Sequence, residues 1–206
     1  MSGQLDPRRV APPFAFCILL SAPPKLARIS AHPQSRPRPA PAPPPPQQQV
    51  LGKPDTGGQV VYILDQVRAL EAELDARLAA AGLRGAHADV VVVTRLIPES
   101  QGTTCHERLE RINGTAHARI LRTTFRDAEG RVLRRWVSRF DLWPFLERWV
   151  IDATADVLAE LNGKPDFVVG NYSDGNMAAT LMCHKLKVTQ VSSAASLVGQ
   201  SKQKTS

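Results

Sequence analysis

Two glycines stand at the predicted start of an amphipathic helix, in the stretch PDTGGQVVYILDQVRALEAEL (residues 54–74). The first N–H groups of a helix have no acceptor within it and carry the positive end of the helix dipole. Because Gly57 and Gly58 have no Cβ atom, the backbone there could approach a phosphate or a sugar, and the amide of Gln59 could donate or accept a hydrogen bond. A plain tight turn before a helix has the same pattern. The stretch matches neither the P-loop nor the three-glycine dinucleotide fingerprint, so both interpretations stay open.

A second polar loop, NYSDGN at residues 171–176, follows a short apolar run that predicts a buried strand. In an open α/β sheet, ligands bind beyond the carboxyl ends of the strands, where loops lead into helices. This loop is therefore a second candidate for the lining of a site. Ser173 and Asp174 have no histidine partner whose position the sequence justifies, so no catalytic triad is predicted.

The three cysteines are far apart in the sequence, which predicts free thiols rather than a disulfide framework. The pairs Cys105-His106 and Cys183-His184 lack the spacing of structural zinc sites. We therefore predict no metal site.

The net charge of +7 first suggests a polyanionic partner, but most of the excess lies in residues 1–49. Aromatic side chains make up only 5% of the sequence and do not interleave with basic ones, as single-strand nucleic-acid binders require. Nucleic acid is therefore not an expected partner. No apolar run has the length of a membrane span, so no transmembrane segment is predicted.

Residues 1–49 hold most of the 17 prolines and predict a disordered, Pro-rich basic tail. Within it, the apolar stretch FAFCILLSA (residues 14–22) is either a short patch of the tail or the apolar part of a targeting peptide. Residues 50–191 predict a globular domain, and residues 192–206 form a polar C-terminal tail.

Helices and buried strands alternate between residues 50 and 191, which predicts an α/β fold with a parallel sheet. Helical spacing of apolar residues predicts a first helix that Asp55 or Thr56 caps and Gly82 closes, and further helices over 141–162 and about 177–186. Apolar, β-branched runs predict strands over 89–94, 118–125, 166–171 and 188–191, with 131–137 returning as a hairpin partner. The acidic residues of the first helix, Asp65, Glu71, Glu73 and Asp75, are expected to face solvent.

Several stretches, in a matching order and spacing, resemble the plant sucrose synthases: GKPDTGGQVVYILDQVRALE, VTRLIPESQGTTCHERLE, RFDLWPFLE, KPDFVVGNYSDGN and ATLMCHKLKVTQ. The resemblance covers about residues 50–190. Sucrose-phosphate synthases share the Asp-Thr-Gly-Gly-Gln core and remain an alternative, although the GNYSDGN stretch is more similar to sucrose synthase.

The resemblance implies a retaining GT-B glycosyltransferase, in which two Rossmann-like domains face a cleft. The reaction that it implies converts sucrose and UDP reversibly to UDP-glucose and fructose, without a metal or other cofactor. The matched region is the first domain. By the resemblance, Gly57 and Gly58 form the loop that meets the nucleotide phosphates and fructose, with Gln59 beside it. Asn171 and Asp174 are carried over as further residues of the cleft. The location that the resemblance implies is cytoplasmic.

Three departures from the family pattern limit these expectations. First, polyproline and glutamine stand where the family has a strand and a PHG-containing loop. Second, the family's catalytic-histidine segment does not follow residue 190. Third, the family's second domain is not found in the chain. We therefore expect an incomplete Rossmann-like sheet without its central strand, in a truncated synthase that is inactive alone and whose catalytic residues are unknown. The alternative is a non-catalytic fragment that associates with full-length synthase subunits.

Overall fold

A computed structural model describes residues 16–21, 57–83 and 85–192 of the chain. Its strands are β1 (Phe16–Ser21), β2 (Asp89–Leu96), β3 (Leu109–Arg111), β4 (Arg119–Thr124), β5 (Phe167–Asn171) and β6 (Thr189–Ser192). Its helices are α1 (Gly57–Ala80), α2 (Arg139–Leu142), α3 (Leu146–Glu160) and α4 (Tyr172–Leu186), with a 3-10 turn at Trp143–Phe145 before α3. The predicted α/β class is confirmed.

The strands form a single sheet in the order β3-β4-β2-β1-β5-β6. β2 pairs with β4, and β5 with β6, in parallel, whereas the short edge strand β3 is antiparallel to β4. β1 lies between β2 and β5 and is antiparallel to both. The sequence predicted β2, β4, β5 and β6 from their apolar runs, and these predictions are confirmed. It predicted neither β3 nor β1.

Helices cover both faces of the sheet, and the side chains of β2 show how the core is divided. Successive residues of a strand point to opposite faces. Val91 and Val93 pack with α3 and α4 on one face, whereas Val90 and Val92 pack with α1 on the other. All four valines are buried, as a strand covered on both sides requires.

β1 corrects two expectations. Residues 1–49 were expected to be disordered, but Phe16–Ser21 form a strand. The sheet was expected to lack its central strand, but β1 occupies that position and pairs along its length with both neighbours. The physical reason is that the apolar segment FCILLS has high β-propensity and that a central position pairs its backbone on both sides. Residues 1–15, 22–56 and 193–206 of the predicted tails and domain lie outside the described residues.

The predicted hairpin is wrong in its second half, residues 131–137. Val132 forms an isolated bridge with the segment after β4, and no strand follows within this described stretch. The carbonyl groups of Leu133 and Arg135 instead accept hydrogen bonds from the guanidinium of Arg95 in β2. Contacts with the end of β2 therefore replace a β-ladder in this segment.

Two helix predictions differ from the structure at their boundaries. The helix predicted over 141–162 is divided into α2, the 3-10 turn and α3, because Pro144 in the turn has no N–H group to donate. The helix predicted from residue 177 begins at Tyr172, so that YSDGN forms the first turn of α4. Tyr172 has a φ of 58°, and this left-handed conformation turns the chain directly from β5 into the helix. Within the described residues, no helix combines the length and the apolar character needed to cross a membrane.

Candidate functional site

The amino ends of three helices meet at one edge of the sheet. β2, β4, β5 and β6 run in the same direction, so their carboxyl ends share an edge, here called the carboxyl edge. α3 and α4 follow β4 and β5, and α1 leads back to the start of β2. Each of these helices therefore begins at the carboxyl edge, where its first N–H groups and its dipole favour anions.

α1 begins at Gly57, so that Gly57, Gly58 and Gln59 are its first three residues. The predicted position of the two glycines at a helix start is therefore confirmed. Their contact with a phosphate or a sugar stays a prediction. The side chains of this helix are described from Val60 onward.

The start of α1 lies beside the start of α4. Burial raises the pKa of the Tyr172 hydroxyl, and the neighbouring Tyr62 of α1 raises this pKa further. Val60 and Tyr172 also pack against the same core cluster beneath α1. The fold thus brings together the two loops, 57–59 and 171–176, that the sequence singled out.

Asn171, the last residue of β5, is buried at this edge, and its side chain forms no hydrogen bond with the residues that the structure describes. It is the N-cap residue of α4 and only 1% exposed. Its side chain makes no capping bond, and neither Oδ1 nor Nδ2 has a partner within the described part of the chain. A buried polar group without a partner costs about 1–3 kcal/mol and is unusual enough to indicate a missing partner or a functional role. Asn171 therefore offers one donor group and one acceptor to a ligand at the carboxyl edge.

Asp174 lies in the first turn of α4 and is buried. Its Oδ1 atom accepts a hydrogen bond from Nε1 of Trp143 at 2.7 Å and another from Oγ of Ser173 at 3.3 Å. A carboxylate in a first helical turn also interacts favourably with the helix dipole. The structure thus gives Asp174 a contact that the sequence did not predict: it ties the 3-10 turn to α4. Its contribution to a ligand site stays a prediction.

Gly170 permits the close approach of α4 to the end of β5. A Cβ atom at Gly170 would lie 2.6 Å from Oδ1 and 2.7 Å from Cα of Asn176. Oδ1 of Asn176 is itself buried and has no partner among the described residues. Absence of a side chain at Gly170 therefore sets the position of the polar first turn of α4.

Arg95 is a buried cation that the sequence analysis missed. It lies one residue before the end of β2, and burial lowers its pKa to about 10. Its guanidinium carbon is 5.7 Å from the ring centroid of Phe125, and Nη2 donates to the carbonyl groups of Leu133 and Arg135. Nε has no partner within the described residues. The one signal in the sequence was an arginine inside an otherwise apolar strand.

The cysteines whose side chains the structure describes, Cys105 and Cys183, are free thiols, as predicted for them. Burial raises the pKa of the Cys183 thiol. Among the described residues, no three His, Cys, Asp or Glu side chains lie close enough to hold a metal ion.

Comparison with known proteins identifies the family. The model for the first GT-B domain of sucrose synthase matches residues 45–206. The chain is 56% identical over 151 residues to sucrose synthase 3 of Arabidopsis thaliana and to sucrose synthase 4 of Oryza sativa subsp. japonica, which covers 73% of this chain and 18% of each relative. It is 60% identical over 144 residues to sucrose synthase 6 of Arabidopsis thaliana, covering 70% of this chain and 15% of that protein. The chain thus spans less than a fifth of the length of these relatives, and it belongs to the sucrose synthase family as a first GT-B domain.

Proposed function

We propose that this chain supplies one wall of a sucrose synthase active site, the wall that faces the nucleotide phosphates and the sugar acceptor. The observation that carries the proposal is the buried amide of Asn171, which has no hydrogen-bond partner among the described residues and lies at the edge where three helices begin. The N–H groups of Gly57 and Gly58 would stabilise negative charge on the diphosphate. The amides of Gln59 and Asn171 would form hydrogen bonds with sugar or phosphate oxygens.

The proposed reaction of the whole protein is reversible glucosyl transfer, from sucrose and UDP to UDP-glucose and fructose, without a metal or other cofactor. Glycosyl transfer requires donor, acceptor and charge-stabilising groups in one closed cleft. Because the match is to the first GT-B domain, we propose that this polypeptide alone does not catalyse the reaction. The relatives named above are sucrose synthases, which favours this reaction over that of a sucrose-phosphate synthase. A cytoplasmic location is proposed on the same basis.

A direct activity assay tests the proposal. The purified chain is incubated with sucrose and UDP, and released fructose is measured beside a protein-free control and full-length sucrose synthase 3 of Arabidopsis thaliana. We expect fructose release from the full-length enzyme and none above the control from this chain. UDP-dependent turnover by the chain alone would show that one domain suffices and would refute the proposed inactivity.

A second candidate function is non-catalytic association with full-length synthase subunits. Phe140 and Trp143 favour it, because they are 62% and 40% exposed and form an edge-to-face pair with ring centroids 5.6 Å apart. Exposed aromatic residues are typical of surfaces that bind other proteins. Co-purification with a full-length synthase, without measurable UDP binding in calorimetry, would favour this function. UDP binding by the isolated chain would favour the first.

A further inference from the structure

The position between β2 and β5 is deeply buried and requires a strand. Val90 to Val93 on one side and Val168 and Val169 on the other are all buried. Without a strand between them, both neighbours would present rows of unpaired backbone N–H and C=O groups in apolar surroundings. β1 pairs with Asp89 to Val93 and with Phe167 to Asn171, and so removes both unpaired edges.

The directions of the other strands indicate which direction a strand between β2 and β5 would normally have. β4, β2, β5 and β6 are parallel, and their order around the central position is that of a doubly wound sheet. The central strand of such a sheet is parallel to its neighbours and leads into the first helix through a short loop. β1 runs in the opposite direction. Its last residue, Ser21, pairs with Asp89 at the start of β2, which is the edge opposite to the start of α1.

We propose that β1 is a surrogate strand: the chain fills the central position of its sheet with an apolar segment from its own N-terminal region, inserted in the reverse direction. The segment FCILLS suits this position, since a central strand covered on both faces requires a continuous apolar run. Antiparallel pairing is also slightly more stable per residue than parallel pairing. Residues 22–56, at up to about 3.3 Å per residue, are long enough to return to the start of α1.

The surrogate strand comes from the same molecule rather than from a second copy. Residues 22–56 tether the segment to the rest of the chain, and a tether holds a segment at an effective concentration in the millimolar range, above the usual concentration of a protein in solution. The reversed direction has a consequence for the site. β1 closes the sheet through its backbone pairing, but it runs away from the edge at which Gly57 and Gly58 lie. Closure of the sheet is therefore separate from positioning of the glycine turn.

Disulfide trapping in the full chain tests the position and register of β1 beside β2. Cys17 is the pairing partner of Val93, whereas Leu19 is the partner of Val91. Directly opposed residues of antiparallel strands have Cα atoms about 4.5–5.5 Å apart, which suits a disulfide. We expect Val93→Cys to form an intramolecular disulfide with Cys17 on oxidation, identified by peptide mapping of the monomer. Val91→Cys is the matched control, also at a buried valine of β2, and we expect at least about tenfold less linkage to Cys17.

Equal linkage in the two variants, preferential linkage of Val91→Cys, or linkage found in dimers alone would overturn the proposal. A second comparison does not depend on cysteine chemistry. Ile18→Pro removes a backbone donor from the centre of β1 and should lower the urea midpoint of the full chain, or abolish its cooperative unfolding. Val10→Pro, in the same N-terminal segment but before β1, should leave the midpoint unchanged. Equal midpoints for Ile18→Pro and Val10→Pro would likewise contradict a structural role of β1.

Discussion

Nε1 of Trp143 donates a hydrogen bond to Oδ1 of Asp174 at 2.7 Å, across 31 residues of sequence. This bond joins the 3-10 turn before α3 to the first turn of α4. Both residues belong to stretches that resemble the family, RFDLWPFLE and KPDFVVGNYSDGN. The contact joins these two stretches in the fold: one supplies the donor and the other the buried carboxylate that accepts.

Replacement of Trp143 by Phe keeps an aromatic ring but removes the donor to Asp174. Because the carboxylate is buried, we expect the free energy of unfolding to fall by about 1–3 kcal/mol in urea titration. Trp136→Phe is the matched control, since Trp136 is exposed to a similar degree, and its effect should stay within about 0.5 kcal/mol. Equal effects of the two substitutions would show that the bond to Asp174 contributes little.

Glu71 was expected to face solvent, and that expectation is wrong. The residue is buried, and its carboxylate accepts the backbone N–H groups of residues 116–118 before β4. Glutamine has one acceptor oxygen in place of two and would turn an N–H group towards these donors. We therefore expect Glu71→Gln to lower the free energy of unfolding by about 1–3 kcal/mol and to speed amide exchange at 116–118.

The control for this variant lies on the same helix. Glu73 is exposed and pairs with Arg77 at the surface, so Glu73→Gln should change the free energy of unfolding by about 0.5 kcal/mol or less. Slow exchange at 116–118 in Glu71→Gln, as in the parent chain, would contradict the role given to Glu71.

Gly170 and Gly163 provide a test of the packing between β5 and α4. A Cβ atom at Gly170 would lie within 2.7 Å of two atoms of Asn176, including a backbone atom, whereas at Gly163 the nearest contact would be 4.0 Å. We expect Gly170→Ala to lower the free energy of unfolding by about 1–3 kcal/mol through overpacking. Gly163→Ala should have little effect. A stable Gly170→Ala protein with unchanged thermal unfolding would show that α4 can shift away from β5.

Asn171→Ala separates a structural role of this residue from a ligand-binding role. Because neither polar atom of the side chain has a partner among the described residues, its removal deletes an unsatisfied buried group. We expect the free energy of unfolding to stay within about 0.5 kcal/mol of the parent value or to rise. A large loss of stability would instead identify Asn171 as a structural residue.

The strands predicted from sequence were those whose own residues are enough to identify them as buried strands. The run DVVVVT must be buried on both faces in any fold, and α1 follows from its helical spacing and from Gly82, which takes a positive φ after the last turn. The two loops at the carboxyl edge also follow from the order of the elements. The location of the candidate site at this edge was therefore predictable.

The remaining features depend on partners far away in sequence. The apolar segment at Phe16–Ser21 was interpreted as a patch of the tail or as part of a targeting peptide, and its pairing as a strand follows only from the position between β2 and β5. Arg95 and Glu71 are charged residues whose hydrogen-bond partners lie 40 and 45 residues away in the sequence, respectively. Their burial could be recognised only once those partners were known. Local periodicity contains no information about such pairings.

Binding of nucleotide phosphate and sugar at the carboxyl edge is tested most directly by an NMR titration of the isotope-labelled chain with UDP and fructose. We predict the largest chemical-shift changes at the backbone amides of Gly57 and Gly58 and at the side-chain amide of Asn171, with none at residues 116–118 on the opposite edge. Asn171→Ala should weaken the response at the two glycines while remaining folded. Shift changes centred away from the carboxyl edge, or none at saturating UDP and fructose, would contradict the claim.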